Sequence, residues 1–410
     1  MNPKSSESLF VIGISHQSAV VEVRERFALD ADSRLALRDR LALERGIDDL
    51  VMLSTCNRSE IYGCSARPLN ENERREIREL IFPGLSAQEV YDHRGWAAVF
   101  HFFRTSAGVD SMVVGESEIL GQIKGSIEEA QGQRSPGREL SDLFRQGLNL
   151  GKRVRSETAL GRGSLSVAAV AVKLARKVVG NLDGRRALIL GAGETGALVS
   201  RHLIAAGVEK IVILNRTLAK AEALAEEVGG RAGILDDLGT ELEASDVVMG
   251  CLEAEKPIVT TAVVSNLDPR TRCFIDISVP RSMDPKIADH AGVFAMDIDD
   301  LAALIESNRG ERLSQLAEVD GIVVGETHKY LALQAFAGMT PLVVEIQDGF
   351  KSIQDEMSGG SDDRDAFSEA LCRRLLGVTM SALKRSSRGQ VSEDQVRMAY
   401  QAFMHREKKG

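Results

Sequence analysis

The clearest pattern along the chain is a series of short apolar runs that stop abruptly at polar residues or glycine. Leu9-Phe10-Val11-Ile12-Gly13-Ile14 ends at Ser15-His16, and Leu50-Val51-Met52-Leu53 ends at Ser54-Thr55-Cys56-Asn57. Between them, residues 32–45 place Leu35, Leu37, Leu41 and Leu43 among charges, which predicts a helix. Strand, helix and strand with polar residues at both strand ends predict a small α+β unit. Helical patterning takes over from Trp96 to Gln131, punctuated by Gly108, Gly115, Gly121 and Gly125.

From about residue 156 the rhythm changes. Ala187–Leu190, Ile211–Leu214, Val247–Met249 and Phe274–Ile277 read as strands separated by helical segments, the most alanine-rich of which covers 218–227. That alternation predicts a doubly wound parallel sheet. Beyond residue 300 β-branched runs are few. Asp300 as an N-cap, followed by Leu301, Leu304, Ile305, Leu316, Val319 and Val323, predicts a long connecting helix, with a loop at 357–364 (MSGGSDDR). The expected organisation is multidomain α/β in three parts: 1–155, 156–300 and 301–410.

Composition narrows the class. With 410 residues, 43% hydrophobic and 27% charged, the chain is neither disordered nor fibrous. Aromatic residues make up 4%, with Trp96 the one tryptophan, which argues against a base-stacking platform. The net charge of -9 excludes a basic field over the whole molecule, but it conceals two basic segments. Residues 134–177 carry +7 and residues 372–410 carry +6, leaving -22 on the rest, a polarisation suited to phosphate contacts in two places or to ordinary solvated helix faces. Five cysteines, an odd number without CxxC spacing, argue against a disulfide framework or a cysteine zinc site. The start MNPKSSESLF has no apolar signal core and no stretch reaches the ~18 apolar residues of a membrane span, so a reducing cytoplasm is the expected setting.

Two motifs carry candidate chemistry. Gly191-Ala192-Gly193-Glu194-Thr195-Gly196 fits G-x-G-x-x-G between a predicted strand and a predicted helix at 197–206, the context of a dinucleotide pyrophosphate site. The next strand ends in Asn215-Arg216-Thr217 instead of an acidic residue, which suits the 2′-phosphate of NADPH better than the ribose hydroxyls of NADH. Cys56 sits among polar residues just past a strand. It is either a structural cysteine or a nucleophile, with Arg58 two positions on to favour the thiolate, and Glu60 with Arg58 to grip an amino-acid substrate. A cysteine nucleophile beside NADPH implies thioester formation followed by hydride reduction.

These motifs occur within IGISHQSAVVEVRER (12–26), STCNRSEIY (54–62), HFFRTSAGVDSMVVGESEILGQIK (101–124), RVRSETALGRGSLSVAAVAV (153–172), GAGETG (191–196), LNRT (214–217) and DISVPRSMDP (276–285). In this order they resemble the glutamyl-tRNA reductase family over some three hundred residues. The resemblance implies an N-terminal catalytic domain that binds glutamyl-tRNA, a Rossmann NADPH domain, and a long spinal helix leading to a C-terminal all-α dimerisation domain. It implies attack by Cys56 on the glutamyl ester and NADPH reduction of the thioester to glutamate-1-semialdehyde, the first step of five-carbon tetrapyrrole (5-aminolevulinate) synthesis. It implies a homodimer, and transfer of the product to glutamate-1-semialdehyde aminotransferase. By resemblance the substrate-binding positions are Thr55, Cys56, Asn57, Arg58, Ser111, Glu116, Ser117, Glu118 and Gln122, and the activity-linked histidine is His101. Arg58 would meet a substrate carboxylate and Glu116 the α-ammonium; His16 is either a pocket residue or a turn residue.

The other histidines (93, 202, 290, 328, 405) show no metal-ligand spacing, and the family mechanism needs no metal. The chain departs from the family pattern at Glu118, where an amide is usual. It also departs at Met249-Gly250-Cys251-Leu252, where small hydroxyl residues are usual, in the absence of a tryptophan near 330–337, and in a reduced leucine-rich motif at 372–384. Two other readings stay open: a shikimate-dehydrogenase-like NADP oxidoreductase, and a catalytically weak paralogue that binds tRNA or a partner enzyme.

Overall fold

A computed structural model describes residues 8–338 except 117, 135, 159, 161–165, 253 and 307–312. The 357–364 loop, the 372–384 motif, the 372–410 basic segment and most of the predicted C-terminal helical domain therefore lie outside the described residues. The chain divides into two compact units, residues 7–327 and residues 1–6 with 328–410. The first contains every element discussed below up to residue 327.

Its N-terminal part runs β1 (Leu9–Ser15), α1 (Val21–Arg26), α2 (Ala31–Arg45), β2 (Leu50–Ser54), β3 (Arg58–Cys64), α3 (Glu71–Ile81), β4 (Tyr91–Arg94), α4 (Trp96–Ser106), α5 (Glu118–Gln133) and α6 (Arg138–Glu157). The helix expected at 32–45 is α2. It is capped by Asp30, whose carboxylate accepts the N–H of Ser33 at 2.8 Å, and closed by Gly46 in the left-handed conformation.

The four strands form an antiparallel sheet of order β2-β3-β1-β4. Phe10, Ile12, Ile14 and Ile61 on one face pack with Leu41, Ile77 and Phe82. The central strand β3 is buried throughout, although its sequence, RSEIYGC, opens on charge. Alternation puts Arg58, Glu60 and Tyr62 on the face opposite Ile61, where Tyr62 meets Phe102 of α4 and Phe144 of α6 edge-on.

The second part runs α7 (Val167–Val179), β5 (Arg186–Leu190), α8 (Glu194–Ala205), β6 (Lys210–Leu214), α9 (Leu218–Val228), β7 (Arg231–Gly233), α10 (Leu238–Ala244), β8 (Val247–Gly250), α11 (Thr261–Val264), β9 (Arg272–Asp276) and β10 (Val293–Asp297). Its six strands are parallel in the order β10-β9-β8-β5-β6-β7, the doubly wound Rossmann arrangement. Successive residues of β5, Ala187 and Ile189 against Leu188 and Leu190, enter the cores on opposite faces of the sheet. This two-sided burial is why these strands read as unbroken apolar runs.

After the sheet come α12 (Ile298–Glu306) and α13 (Leu313–Gly338). The described parts of the expected long helix are α12 and α13, the latter of 26 residues, about 39 Å long at 1.5 Å per residue, with residues 307–312 outside the described residues. One reading changes here: the cap of α12 is Asp297, not Asp300. Asp297 Oδ1 accepts the N–H groups of Asp299 and Asp300 at 3.0 and 3.2 Å, while Asp300 accepts the N–H of Asp297 in return. Among the described residues no helix is long and apolar enough to cross a membrane.

Candidate active site

β2 and β3 are joined by Thr55-Cys56-Asn57, a tight turn that Thr55 builds. Its N–H donates to the carbonyl of Arg58 at 2.8 Å, and its hydroxyl accepts the N–H groups of Asn57 and Arg58 at 3.1 and 3.2 Å. From outside the turn, His16 N–H donates to the Asn57 carbonyl at 2.8 Å, and Arg24 donates Nη1–H to the carbonyl of Cys56. Cys56 itself is half-buried and free.

Its thiol is pushed up to about 12, first by burial and then by the carboxylates of Glu116 and Glu118, with Arg24 opposing them. Arg58, which the sequence offered as the thiolate's cation, plays another part. It is 2% exposed, and its guanidinium donates to Glu60 at 2.6 Å, to Thr105 Oγ1 at 3.1 Å and to the Asp110 carbonyl at 2.8 Å. Glu60 and Arg58 therefore bind each other and do not stand as two free grips for a substrate. The reason is burial: neither charge is tolerated there without the other.

Glu60 collects the surrounding donors. Its two oxygens accept from Tyr62 Oη at 2.6 Å, Tyr91 Oη at 2.5 Å and His101 Nε2 at 2.8 Å. Burial alone would raise this carboxyl, but Arg58 and His101 hold it well below the usual carboxylate range. His101 lies on α4 as expected, yet it is no plain core residue. Its ring leans on Tyr91 and His93, and its Nε2 is fixed by Glu60.

The segment between α4 and α5 closes the other side. Gly108 and Gly115 turn it back, with Gly115 N–H on the Gly108 carbonyl at 2.9 Å, and Ser111 and Glu116 become buried. Burial and Glu118 push the Glu116 carboxyl up to about 8. Glu118 opens α5, with Gln122 one turn on and half-buried; Ser117 lies outside the described residues. Burial and then Glu194 raise Glu118 in turn, and Glu118 acts on the thiol of Cys251. Glu118 is thus where the Cys56 turn and the glycine loop meet.

Three buried polar atoms around this turn have no hydrogen-bond partner: His16 Nδ1, Asn57 Oδ1 and Glu118 Oε1. Each costs about 1–3 kcal/mol unless a ligand satisfies it. His16 is held neutral, its imidazole pushed down to about 4 by burial and by Arg58 and Arg24. A polar ligand would satisfy these atoms; His16 itself lies in the turn closed by Ser18 N–H on the Ser15 carbonyl at 2.9 Å, as the turn reading expects. Neither Arg24 nor the ring around Glu60 stood out in the sequence, because each depends on partners far along the chain.

The glycine loop fits a dinucleotide. Gly191 has φ +112°, and a Cβ there would strike the Cys251 carbonyl at 2.6 Å; a Cβ on Gly196 would strike the Gly191 carbonyl at 2.3 Å. A Cβ on Gly193 would meet nothing within 4 Å, so that edge is open for a pyrophosphate at the start of α8. Ala192, Glu194 and Thr195 complete the loop. Asn215 Nδ2 donates to the Thr217 carbonyl at 3.0 Å, shaping the turn that presents Arg216. A cavity of about 210 Å³ runs from Ser54 and Thr55 to Arg216, with Arg34, Glu255 and Pro280 on its walls. No group of three or more potential metal ligands occurs among the described residues.

With thiol and carboxylates this close, replacing Glu118 by Gln is expected to raise the reactivity of Cys56. Losing one negative charge lowers the thiol pKa, so the thiolate fraction at any pH below it increases. Iodoacetamide labelling of Cys56 at pH 8 in Glu118→Gln and parent protein checks this; equal or slower labelling of the variant contradicts it.

Comparison with known proteins agrees with the geometry. The family model "Glutamyl-tRNAGlu reductase, N-terminal domain" matches residues 12–158 and "Shikimate / quinate 5-dehydrogenase" matches residues 173–304. The glutamyl-tRNA reductase of Rubrobacter xylanophilus is 41% identical over 352 residues, 84% of this chain and 82% of its own. Glutamyl-tRNA reductase 2 of Koribacter versatilis is 33% identical over 98% of this chain and 96% of its own. The solved glutamyl-tRNA reductase of Methanopyrus kandleri is 29% identical, covers 98% of this chain and 100% of that one, and has a TM-score of 0.49. The similarity of the curated relatives spans both the cysteine turn and the glycine loop, and on that ground the chain belongs to the glutamyl-tRNA reductase family.

Proposed function

We propose that the chain reduces the glutamate carried by glutamyl-tRNA to glutamate-1-semialdehyde through a thioester on Cys56, at the entry to tetrapyrrole synthesis. The observation that carries this is the junction at Glu118, which brings a cysteine turn lined by unsatisfied polar atoms up to a dinucleotide loop.

Cys56 Sγ attacks the ester carbonyl; the S–C bond forms, the C–O bond to the terminal ribose breaks, and the ribose oxygen leaves with a proton. On this reading His101, oriented by Glu60, delivers that proton. Glu116 and Glu118 receive the substrate's α-ammonium, with Ser111 and Gln122 beside them. Its positive charge opposes the negative charge that, after burial, holds the thiol up, and so acts in favour of the thiolate. Asn57 and Thr55 shape the turn around the glutamyl group, and Arg58, held by Glu60, Thr105 and the Asp110 carbonyl, fixes the start of the strand that follows it. A nicotinamide cofactor held at the Gly191–Gly196 loop would supply a hydride to the thioester carbonyl; the C–S bond would break to give the aldehyde, and Cys56 would leave as thiolate and take up a proton from solvent.

The cofactor is NADPH on this reading, because Arg216 and Thr217 stand where an NADH-specific site carries an acid. Replacing Arg216 by Ala is expected to raise the KM for NADPH roughly ten- to a hundredfold, a charge-assisted hydrogen bond being worth about 1.5–3 kcal/mol, and to leave that for NADH nearly unchanged. Steady-state kinetics with both cofactors decides it.

The tRNA would meet Lys152 on α6 and the exposed Lys173, Arg176 and Lys177 on α7. Other charges of the 134–177 segment are already spent: Arg134 pairs with Asp48, Arg145 with Asp142 and Arg153 with Glu326. The three-part organisation at 155 and 300, a homodimer through the region after α13, a cytoplasmic setting and delivery of the aldehyde to glutamate-1-semialdehyde aminotransferase complete the reading.

The test is to incubate the full chain with glutamate-charged tRNA, with NADPH, with NADH and with neither. Semialdehyde that needs reduced nicotinamide and charged tRNA together supports the proposal. Release of free glutamate alone, or binding of tRNA without turnover, overturns it.

A further inference from the structure

Helix α1 lacks a cap of its own. The residue at its N-cap position is Val20, which offers no side-chain hydrogen bond. The missing acceptor comes from 278 residues away: Asp299 Oδ2 accepts the N–H of Val21 at 2.9 Å. The other oxygen of the same carboxylate, Oδ1, accepts from Arg24 Nη2. The second arm of that guanidinium, Nη1, reaches the carbonyl of Cys56. A continuous run of contacts thus leads from the first turn of α12, through one arginine, into the turn that carries the cysteine.

Both ends of this run are firmly held. Asp299 is fixed by Asp297, which takes its N–H, and by the complete burial of Ile298 and Leu301 on either side. Arg24 is 3% exposed, and its Nε is buried without a partner. A long cationic side chain loses rotamer freedom on being fixed, and an unpaired buried donor adds a further cost. Such an arrangement is poorly suited to stability alone. A second set of contacts joins the same two parts without touching the cysteine turn. Arg281 donates through Nε to Glu25 at 2.8 Å and through Nη1 to Glu22 at 3.0 Å. These hold α1 against the 276–283 segment, so the attachment of α1 does not by itself require Arg24.

We propose that Arg24 is a positioning residue for the nucleophile and that Asp299, from the dinucleotide-binding part of the chain, holds it in place, so that the cysteine turn is set correctly only while the two parts are in contact. This deepens the reading of Cys56 as nucleophile and rests on it. Acylation uses groups of the N-terminal part alone, whereas reduction needs Cys56 placed against the cofactor held by the other part, and a strut across that junction ties the geometry of the first step to the arrangement required for the second. Arg24 also brings a positive charge to bear on the thiol, opposing Glu116 and Glu118.

The test uses the full chain, with iodoacetamide labelling of Cys56 read by peptide mass spectrometry and, separately, single-turnover acylation by glutamate-charged tRNA without cofactor. Asp299→Ala is expected to slow both by about tenfold, the scale on which a misplaced reacting group loses rate, with the KM for NADPH unchanged. Asp299→Asn, which keeps an acceptor for one of the two donors, falls between. Arg281→Lys, at the neighbouring contact, labels like the parent. If Asp299→Ala folds poorly, Arg24→Lys carries the test, since it keeps the charge and loses the two-armed reach; it too is expected to slow labelling and acylation.

Labelling of both variants at the parent rate, or faster, overturns the proposal, as does an Arg281→Lys effect as large as that of Asp299→Ala. Retained activity in Cys56→Ser would remove the nucleophile reading while leaving the labelling comparison intact, so the two failures are distinguishable.

Discussion

Replacing Cys56 by serine is expected to abolish semialdehyde formation, with a loss of at least about a thousandfold, the scale seen when a covalent nucleophile is removed. The serine hydroxyl fits the turn, because the turn is held by backbone atoms and Thr55 and does not use the sulfur. Folding and tRNA binding should therefore survive, and the loss should appear in the chemical step. The diagnostic measurement is retention of radiolabelled glutamate on the protein when cofactor is omitted. The parent chain should hold one glutamate through a hydroxylamine-sensitive bond and the variant none. A variant that still makes semialdehyde at the parent rate would place the nucleophile elsewhere. The other described cysteines are differently placed: Cys64 and Cys273 are buried, and Cys251 follows β8 with its carbonyl against Gly191 of the glycine loop.

The second large effect concerns stability. Glu60→Gln leaves Arg58 as a buried cation without its counter-charge, and breaking one partner of a buried pair costs about 3–5 kcal/mol. Urea unfolding at pH 7, followed by circular dichroism, should show a loss of that size together with loss of activity, since His101 also loses its carboxylate. The pH dependence has a definite sign. Glu60's carboxyl is held well below the usual range in the folded chain, so its contribution is complete above the unfolded value of about 4.3 and is lost as pH falls below it, where the unfolded chain binds the extra proton. The gap in stability between parent and Glu60→Gln should therefore narrow on acidification from pH 7 to pH 3. A gap that is small at pH 7, or that widens in acid, would show that the pair does not hold the fold.

The same residues show how far the sequence could be read. Strands β1, β2, β5, β6, β8 and β9 announce themselves because burial on their faces demands apolar runs with polar ends. Strand β3 does not. Arg58, Ser59 and Glu60 look like the continuation of a polar loop, and only Thr105, the Asp110 carbonyl, Tyr91 and His101, all more than thirty residues away, make those charges tolerable inside the sheet. The short strands β4 and β7 carry too few apolar residues for their period to register, while β10 (VFAMD) opens with four apolar residues and is a strand the pattern reading overlooked.

Local motifs located Cys56 and the glycine loop correctly as turns after strands. Their approach to one another through Glu118, and the reach of Asp299 to Arg24, are products of packing that no spacing along the chain encodes. The misassigned role of Arg58 has the same origin. Proximity in sequence suggested a partner for the thiol, but β-strand alternation turns its side chain onto the face shared with Glu60 and Tyr62.

The elevated thiol of Cys56 has a consequence for the resting protein. Peroxides and disulfides react with the thiolate, so a sulfhydryl that stays protonated through the physiological range is a slow target for oxidation to sulfenic acid and beyond. Burial first, and Glu116 and Glu118 after it, keep the sulfur in that protonated state in the resting chain.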